Sequence, residues 1–312
     1  MLISVIVATY NRCEDLKKFL DTLLTQEIPQ DFTYEIIIID NNSKDMTKDV
    51  IDNYSGRFPL GRLNYLFEQR QGKCFALNTA ISRSQGDVLV FTDDDVVLPR
   101  EWYGTINDFV KNMEFDAACG RVLPQYPQGI PDWVKQNNDL LSGPIVSYDY
   151  GTEIKPYDQR SMLPLIGANM IVKRRLFDEV GLFNTNLGPG TGTFGDDTEM
   201  CLRWEKRNKK LFYAGNVLVW HPVIKERTGL NYIAKWNIAS GKYLVVKDKD
   251  SSDNKIVLFC GIPRHLFRKM MVHCIKLIPG LFNRRIFLNN WVLLFREIGA
   301  IQAYKQLGNS RT

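Results

Sequence analysis

Residues 72–95 read GKCFALNTAISRSQGDVLVFTDDD, and the fold turns on them. Residues 72–84 carry a helical pattern and residues 88–91 a buried strand, which runs directly into Asp93, Asp94 and Asp95. Three adjacent carboxylates repel one another, so their place after a buried strand implies a ligand of opposite charge. Side chains alternate along a strand, which predicts Asp93 and Asp95 on one side and Asp94 pointing away. Two carboxylates on one side form a hard oxygen site suited to a divalent cation that also holds phosphate oxygens. A solvated turn is the plain alternative.

Working outward, the N-terminal hundred residues alternate between strand and helix patterns. Residues 3–8, 34–39 and 63–67 are apolar runs. Residues 14–24 place Leu16, Phe19, Leu20, Leu23 and Leu24 at a helical period, and residues 46–54 form a second short helix. Such alternation predicts a mostly parallel sheet covered by helices on both faces, with ligands at the carboxyl ends of the strands. Three polar clusters share that address: Thr9-Tyr10-Asn11-Arg12, Asp40-Asn41-Asn42-Ser43 and Asp93-Asp94-Asp95. From about residue 115 prolines interrupt the pattern, as expected of an antiparallel or loop-rich half that completes a cleft. The run GPGTGTFG at residues 188–195 is too glycine-rich for an element interior and is expected to be a mobile loop. A helix with Met200, Leu202 and Trp204 follows, then a strand at residues 217–220 that ends in His221-Pro222.

At 312 residues, with 45% hydrophobic and 24% charged side chains, the chain has the composition of a globular protein with one large domain or two modest ones. Its six cysteines are scattered without metal-finger spacing, which predicts free thiols in a reducing compartment. Residues 2–8, LISVIVA, lack a basic flank and a cleavage site, so a first buried strand is expected rather than a signal peptide. No segment offers the roughly 18 uninterrupted apolar residues of a spanning helix.

The net charge of +5 is unevenly spread. Residues 256–312 hold nine basic side chains against the single acid Glu297, so the rest of the chain is slightly acidic. A nucleic-acid partner is not implied. Within the tail, Leu266, Phe267, Met270, Met271, Cys274, Ile275 and Ile278 form one apolar stripe, with Arg264, Arg268, Lys269, His273 and Lys276 mostly on other faces. A second apolar segment, residues 286–304, continues the pattern. This tail is expected to lie on an anionic membrane surface, which would make a lipid-linked acceptor natural. Docking of the stripe onto the protein itself is the alternative.

Several motifs in order resemble the family-two glycosyltransferases of the GT-A fold: VIVATYNR (5–12), EIIIIDNNSKD (35–45), residues 72–95, GANMIVKRRLFDEVGLFN (167–184) and GDDTEMCLRW (195–204). The resemblance covers about two thirds of the chain. It implies an α/β GT-A domain at residues 1–246, with a nucleotide-sugar-binding half (1–115) and an acceptor half (116–246). A linker at 247–255 and an amphipathic helical tail at 256–312 would follow. By position, Thr9, Tyr10 and Arg12 resemble the first nucleotide loop. Asp40 looks like the base-reading carboxylate, with a turn or cap role as its alternative. Lys73 falls near the expected diphosphate. Asp93 and Asp95 match the family's paired-aspartate motif, which touches the ribose and the metal; Asp94, in its variable middle position, is grouped with the donor-binding residues and read as a spacer. His221 resembles a third metal ligand, for Mn²⁺ or Mg²⁺. Asp196-Asp197 stands where the family has a Glu-Asp pair, so Asp197 is the expected general base, with Asp196 as the second choice and helix capping as the alternative for both. Gly167-Ala168-Asn169 matches a segment lining the sugar and acceptor pocket.

The resemblance implies an inverting transferase taking a nucleotide-diphosphate sugar, most simply a UDP-sugar, to a glycan or lipid-linked acceptor. Its expected place is cytoplasmic, peripheral at the inner face of the cell membrane. Two rivals stand: a catalytically inactive sugar-binding or membrane scaffold protein, and a nucleotidyltransferase, for which ATYNRCED lacks the glycines of a triphosphate loop.

Overall fold

The computed structural model describes residues 1–191, 195–248, 258–259 and 261–309. The chain begins with β1 (Leu2–Thr9), α1 (Cys13–Leu24), β2 (Thr33–Asp40), α2 (Thr47–Ser55), β3 (Leu63–Phe67), α3 (Lys73–Arg83) and β4 (Val88–Asp93). It continues with α4 (Trp102–Asn112), β5 (Ala117–Gln125) and the short helices α5 (Asp132–Lys135) and α6 (Asn138–Leu141). Next come β6 (Ile154–Pro156), β7 (Asn169–Lys173), α7 (Arg175–Val180), α8 (Asp196–Lys206) and β8 (Leu211–Pro222). After a 3₁₀ turn, α9 (Leu230–Asp248), β9 (Leu258–Phe259), β10 (Ile262–Pro263), α10 (Arg264–Gly280) and α11 (Arg284–Asn309) complete it.

Two compact units result: Met1–Gln125 with Tyr148–Pro222, and Tyr126–Ser147 with the chain from Val223 onward. Where the sequence drew a boundary at residue 246, residues 126–147 and 223–246 group instead with the C-terminal helices. The linker expected at 247–255 lies outside the described residues, apart from residues 247 and 248, which end α9.

The first unit is built on an eight-stranded sheet in the order β3-β2-β1-β4-β7-β5-β8-β6. Strand β1 is central because it is apolar on both faces; Val5, Ile6 and Val7 are fully buried. It pairs in parallel with β2 and β4, setting Thr9 opposite Asp40 and Ala8 opposite Asp93, so three polar strand ends arrive at one edge. Helix α1 covers the sheet with the expected residues Leu16, Phe19, Leu20 and Leu23. The irregular half supplies β7, antiparallel to both β4 and β5, and β6, antiparallel to β8. Strand β8 is longer than its apolar core suggested, and runs parallel to β5 around a bulge between Gly120 and Arg121.

The second unit packs Ile130, Val134, Leu141, Ile145, Val223, Ile233, Leu288 and Val292 into one core. Helices α9 and α11 meet backbone to backbone: a Cβ on Gly241 would lie 1.9 Å from the Arg296 carbonyl oxygen, and one on Gly299 2.0 Å from that of Ile238. The apolar stripe of α10 splits. Leu266, Phe267 and Met270 pack with Val245, Ile262, Ala300, Ile301 and Ala303, while Met271, Ile275 and Ile278 stay exposed.

At the bulge, a Cβ on Gly120 would sit 2.1 Å from Asn169 Nδ2 and 2.5 Å from the Val217 carbonyl oxygen. Asn169 is fully buried and donates to Arg121 O and Val217 O, so it has no free direction in which to yield. Gly120→Ala is therefore expected to lower stability by about 1–3 kcal/mol in urea unfolding, the cost of overpacking a close contact. An unchanged midpoint would show that the bulge relaxes.

Candidate active site

Strand β4 ends at Asp93, and Asp94 and Asp95 lie in the turn beyond it. Asp93 and Asp95 do face one side chain in common, His221 at the end of β8, but the turn brings this about rather than strand alternation. His221 is buried, and its Nδ1 lies 3.1 Å from the Pro222 carbonyl oxygen. A carbonyl can only accept, so Nδ1 carries a proton and Nε2 is turned toward the acidic pair. That nitrogen lies 3.4 Å from Asp95 Oδ1 and 4.0 Å from Asp93 Oδ2. Asp95 Oδ1 is buried without a hydrogen-bond partner. The His221 ring nitrogen and two carboxylate oxygens, gathered within 4.8 Å of one another, are favoured by a cation among them. This donor set, two hard oxygens and one imidazole, fits a divalent metal.

The outer oxygens of the same carboxylates are held by fixed cations. Arg12 Nη1 donates to Asp95 Oδ2 at 2.7 Å and to Asp94 Oδ1 at 3.0 Å; Lys73 Nζ donates to Asp93 Oδ1 at 2.6 Å. Asp93 and Asp95 thus each have one oxygen clamped and the other turned to His221. Burial works to raise the Asp93 carboxyl, but Lys73, His221 and Arg12 together outweigh it and hold the group at about 2. Asp94 is buried deeply enough to be pushed up to about 6 even with Arg12 beside it. Of the residues expected on the donor nucleotide, Arg12 binds Asp94 and Asp95, and Lys73 binds Asp93.

The loops after β1 and β2 are tied together. Asn11, at φ 51°, donates its N–H to Ser43 Oγ at 2.9 Å and accepts the Lys44 N–H on Oδ1 at 2.7 Å. Thr9 is buried and Tyr10 exposed. Asp40 is buried, accepting the Ser43 N–H on Oδ1 at 2.8 Å and the Tyr65 hydroxyl on Oδ2 at 3.1 Å, so the turn role weighed for it is filled. Asp45 accepts the N–H groups of Cys13 and Thr47 and so caps α1 and α2. Asn41 ties the loop after β2 to the one that leads into α3: Nδ2 donates to Arg70 O at 2.6 Å and to Glu68 O at 3.3 Å, while Oδ1 accepts the Gly72 N–H at 2.8 Å. The sequence pattern marks Asn41 only as part of a polar cluster and Tyr65 not at all; both act through partners more than twenty residues away, which spacing does not reveal.

Asp196 and Asp197 open α8. Asp196 is buried beside Cys74 Sγ, at 3.8 Å, and under Gly188, where a Cβ would lie 2.9 Å from its Cγ. Asp197 Oδ2 accepts the Gly167 N–H at 2.8 Å. Burial, then the negative field of Asp196, lifts the Asp197 carboxyl to about 7, with Lys73 pulling the other way. Around Lys73 itself, burial disfavours the ammonium, but the fields of Asp93, Asp197 and Asp196 outweigh it and raise its pKa. The described part of the 188–195 run is anchored, not loose: Pro189 O accepts the Lys73 N–H at 3.0 Å, and a Cβ on Gly190 would lie 2.9 Å from Gly72 Cα. Residues 192–194 lie outside the described residues. Asn169, expected to line a sugar pocket, is fully buried between strands, and Trp102 and Trp204 are core residues.

A mostly parallel sheet whose strand ends gather a carboxylate–histidine cation site and a near-neutral carboxyl is the layout of a cation-assisted, nucleotide-dependent transferase. The chain belongs to glycosyl transferase family 2, whose sequence model matches residues 4–181, and it is a glycosyltransferase of the GT-A fold. It is 27% identical over 226 residues to the Glycosyltransferase AglE of Haloferax volcanii, across 70% of this chain and 66% of that one. It is 23% identical over 273 residues to a glucosyl-dolichyl phosphate glucuronosyltransferase of the same organism, across 82% and 81%. Among solved structures, the mannosyltransferase PcManGT of Pyrobaculum calidifontis, in complex with GDP-Man and Mn²⁺, superposes with a TM-score of 0.57 at 19% identity, covering 99% of this chain and 74% of that one.

If the clamps set the cation site, Arg12→Gln should release Asp95 and weaken Mn²⁺ binding in the absence of nucleotide by about tenfold, the usual scale for loss of a supporting partner of a metal ligand. Electron paramagnetic resonance of free Mn²⁺ measures this; wild-type affinity in the variant would remove Arg12 from that role.

Proposed function

We propose that this glycosyltransferase moves a sugar, with inversion, from a UDP-sugar to a hydroxyl of a glycan or lipid-linked acceptor in the synthesis of a cell-surface polysaccharide or glycoconjugate. One observation carries the reading: the Lys73 ammonium stands in the fields of both Asp93 and the Asp196–Asp197 pair, so the cation site and a carboxyl ionising near neutrality belong to one site.

Asp93, Asp95 and His221 would hold the metal, and the imidazole favours Mn²⁺ over Mg²⁺. Bound there, it supplies positive charge to offset that developing on the departing nucleoside diphosphate. Asp40 keeps free lone pairs beyond its bonds to Ser43 and Tyr65, and so could accept the imide N–H of a uracil. Thr9, the last residue of β1, and Tyr10 just beyond it are suited to flank that base. Asp197, oriented by the Gly167 N–H, would take the proton from the acceptor hydroxyl as its oxygen bonds to the anomeric carbon and the bond to the diphosphate oxygen breaks. A single displacement inverts the anomeric centre. Asp196, buried and packed under Gly188, is placed to raise its neighbour rather than to meet the acceptor.

No helix among the described residues is long and apolar enough to cross a membrane. Exposed Met271, Ile275 and Ile278 share α10 with exposed Arg264, Arg268 and Lys276, a combination that suits an interfacial helix on anionic lipid. We place the enzyme at the inner face of the cell membrane on this basis; the free thiols at Cys13, Cys74, Cys119, Cys201 and Cys274 agree with a reducing compartment.

Asp197→Asn is expected to leave Mn²⁺ and donor binding near wild type while cutting transfer by about 10²–10⁴-fold, whereas Asp95→Asn should abolish metal-dependent donor binding. Calorimetry with donor and Mn²⁺ separates the two, and equal damage to binding in both variants would refute the division of roles. Because Asp197 must be ionised to accept a proton, kcat/KM should fall tenfold per pH unit below about 7 and level off above it. Reversing the charge at Arg264, Arg268 and Lys276 should release the protein from vesicles containing phosphatidylglycerol in sedimentation assays. Undiminished sedimentation would exclude the lipid-surface reading.

A further inference from the structure

The proposed chemistry leaves one cavity of the second unit unused. Trp133, Leu230, Leu281, Phe282 and Phe287 help to line a space of about 470 Å³, and Arg284 is the charged side chain at its wall. Its position is the turn between α10 and α11, where Leu281 is 73% and Phe282 92% exposed. Two large apolar side chains left in water beside an open apolar cavity imply an apolar occupant.

Charge narrows the choice. Adjacent arginines at the start of α11 are treated differently: Arg285 is held by Asp139, with Nη2 to Oδ2 at 2.5 Å, but Arg284 has no carboxylate within ion-pair distance among the described residues. The Arg284 guanidinium instead lies 5.7 Å from the centre of the Trp133 ring. A guanidinium stacked on an aromatic face keeps its edge donors free, and that edge matches phosphate oxygens in a bidentate fork. Free phosphate would satisfy the charge and leave the apolar walls wet; a neutral hydrocarbon would fill the walls and leave the charge unmatched. A molecule with both features satisfies the site, and a cavity of this size suits one chain rather than two.

We propose that this cavity binds a single-chain lipid phosphate, the headgroup on Arg284 and the first part of the chain against Trp133, Phe282 and Phe287. The proposal rests on the membrane-surface and lipid-linked-acceptor reading above and names the lipid chemistry that reading would use. Phe282, the more exposed of the turn's two apolar residues, offers its ring to the chain.

Calorimetry on the full chain in vesicle-free buffer tests it, with farnesyl phosphate as the probe, below the concentration at which it aggregates. Farnesyl phosphate should bind at least about tenfold more tightly than either farnesol or inorganic phosphate, because each of these lacks half of the complementarity. Arg284→Gln and Phe282→Ser should each weaken it by about tenfold with an unchanged unfolding temperature, since both side chains are exposed and leave the core intact. Equal binding of farnesol and farnesyl phosphate, or wild-type affinity in both variants, would overturn the assignment. Vesicle sedimentation separates the two readings: failure here with sedimentation intact removes the cavity alone, and failure of both removes the membrane reading with it.

Discussion

The acidic turn after β4 is the constraint around which the site is arranged. Asp93, Asp94 and Asp95 would repel one another and drive the turn apart, yet Arg12 and Lys73 reach them from the loop after β1 and from the start of α3. Each cation takes an outer oxygen, and Asp93 and Asp95 keep an inner oxygen turned to His221. Net repulsion is thereby reduced without filling the position where a metal belongs. Partial neutralisation of this kind preorganises a cation site, because the ligand oxygens need not be gathered when the ion arrives.

That arrangement depends on sheet register. Parallel pairing of β1 with β2 and β4 brings Thr9, Asp40 and Asp93 to one edge, and β8 returns through the far half of the sheet to deliver His221. Asn41 fixes the approach by binding the backbone of the loop that leads into α3, the helix whose first residue is Lys73. The near-neutral Asp197 has a different origin. It is poised by burial and by Asp196, a pair of like charges at a helix start, with Lys73 moderating both.

The C-terminal helices follow a second logic. Small residues let α9 and α11 touch backbone to backbone, beside apolar clusters to which both helices contribute. Helix α10 then needs only part of its stripe for docking, and the remainder faces solvent beside basic side chains. The sequence posed docking and a lipid surface as alternatives; the stripe divides, with one part docked and the other left exposed.

By itself the sequence determined the alternation of strands and helices, the parallel sheet, the gathering of polar strand ends and the family, because apolar periodicity and ordered motifs are local properties of the chain. Its placement of Asp93 and Asp95 together came from strand alternation, although the strand stops at Asp93 and a turn does the work. Only the tertiary structure decided that Arg12 and Lys73 grip the acids, that Asp40 is braced by Tyr65, that Asn169 is locked between strands, and that residues 126–147 join the C-terminal helices. Each of these depends on which of several possible partners a side chain meets after long-range pairing. Spacing along a chain fixes faces and periods, but it does not fix distances between segments some tens of residues apart.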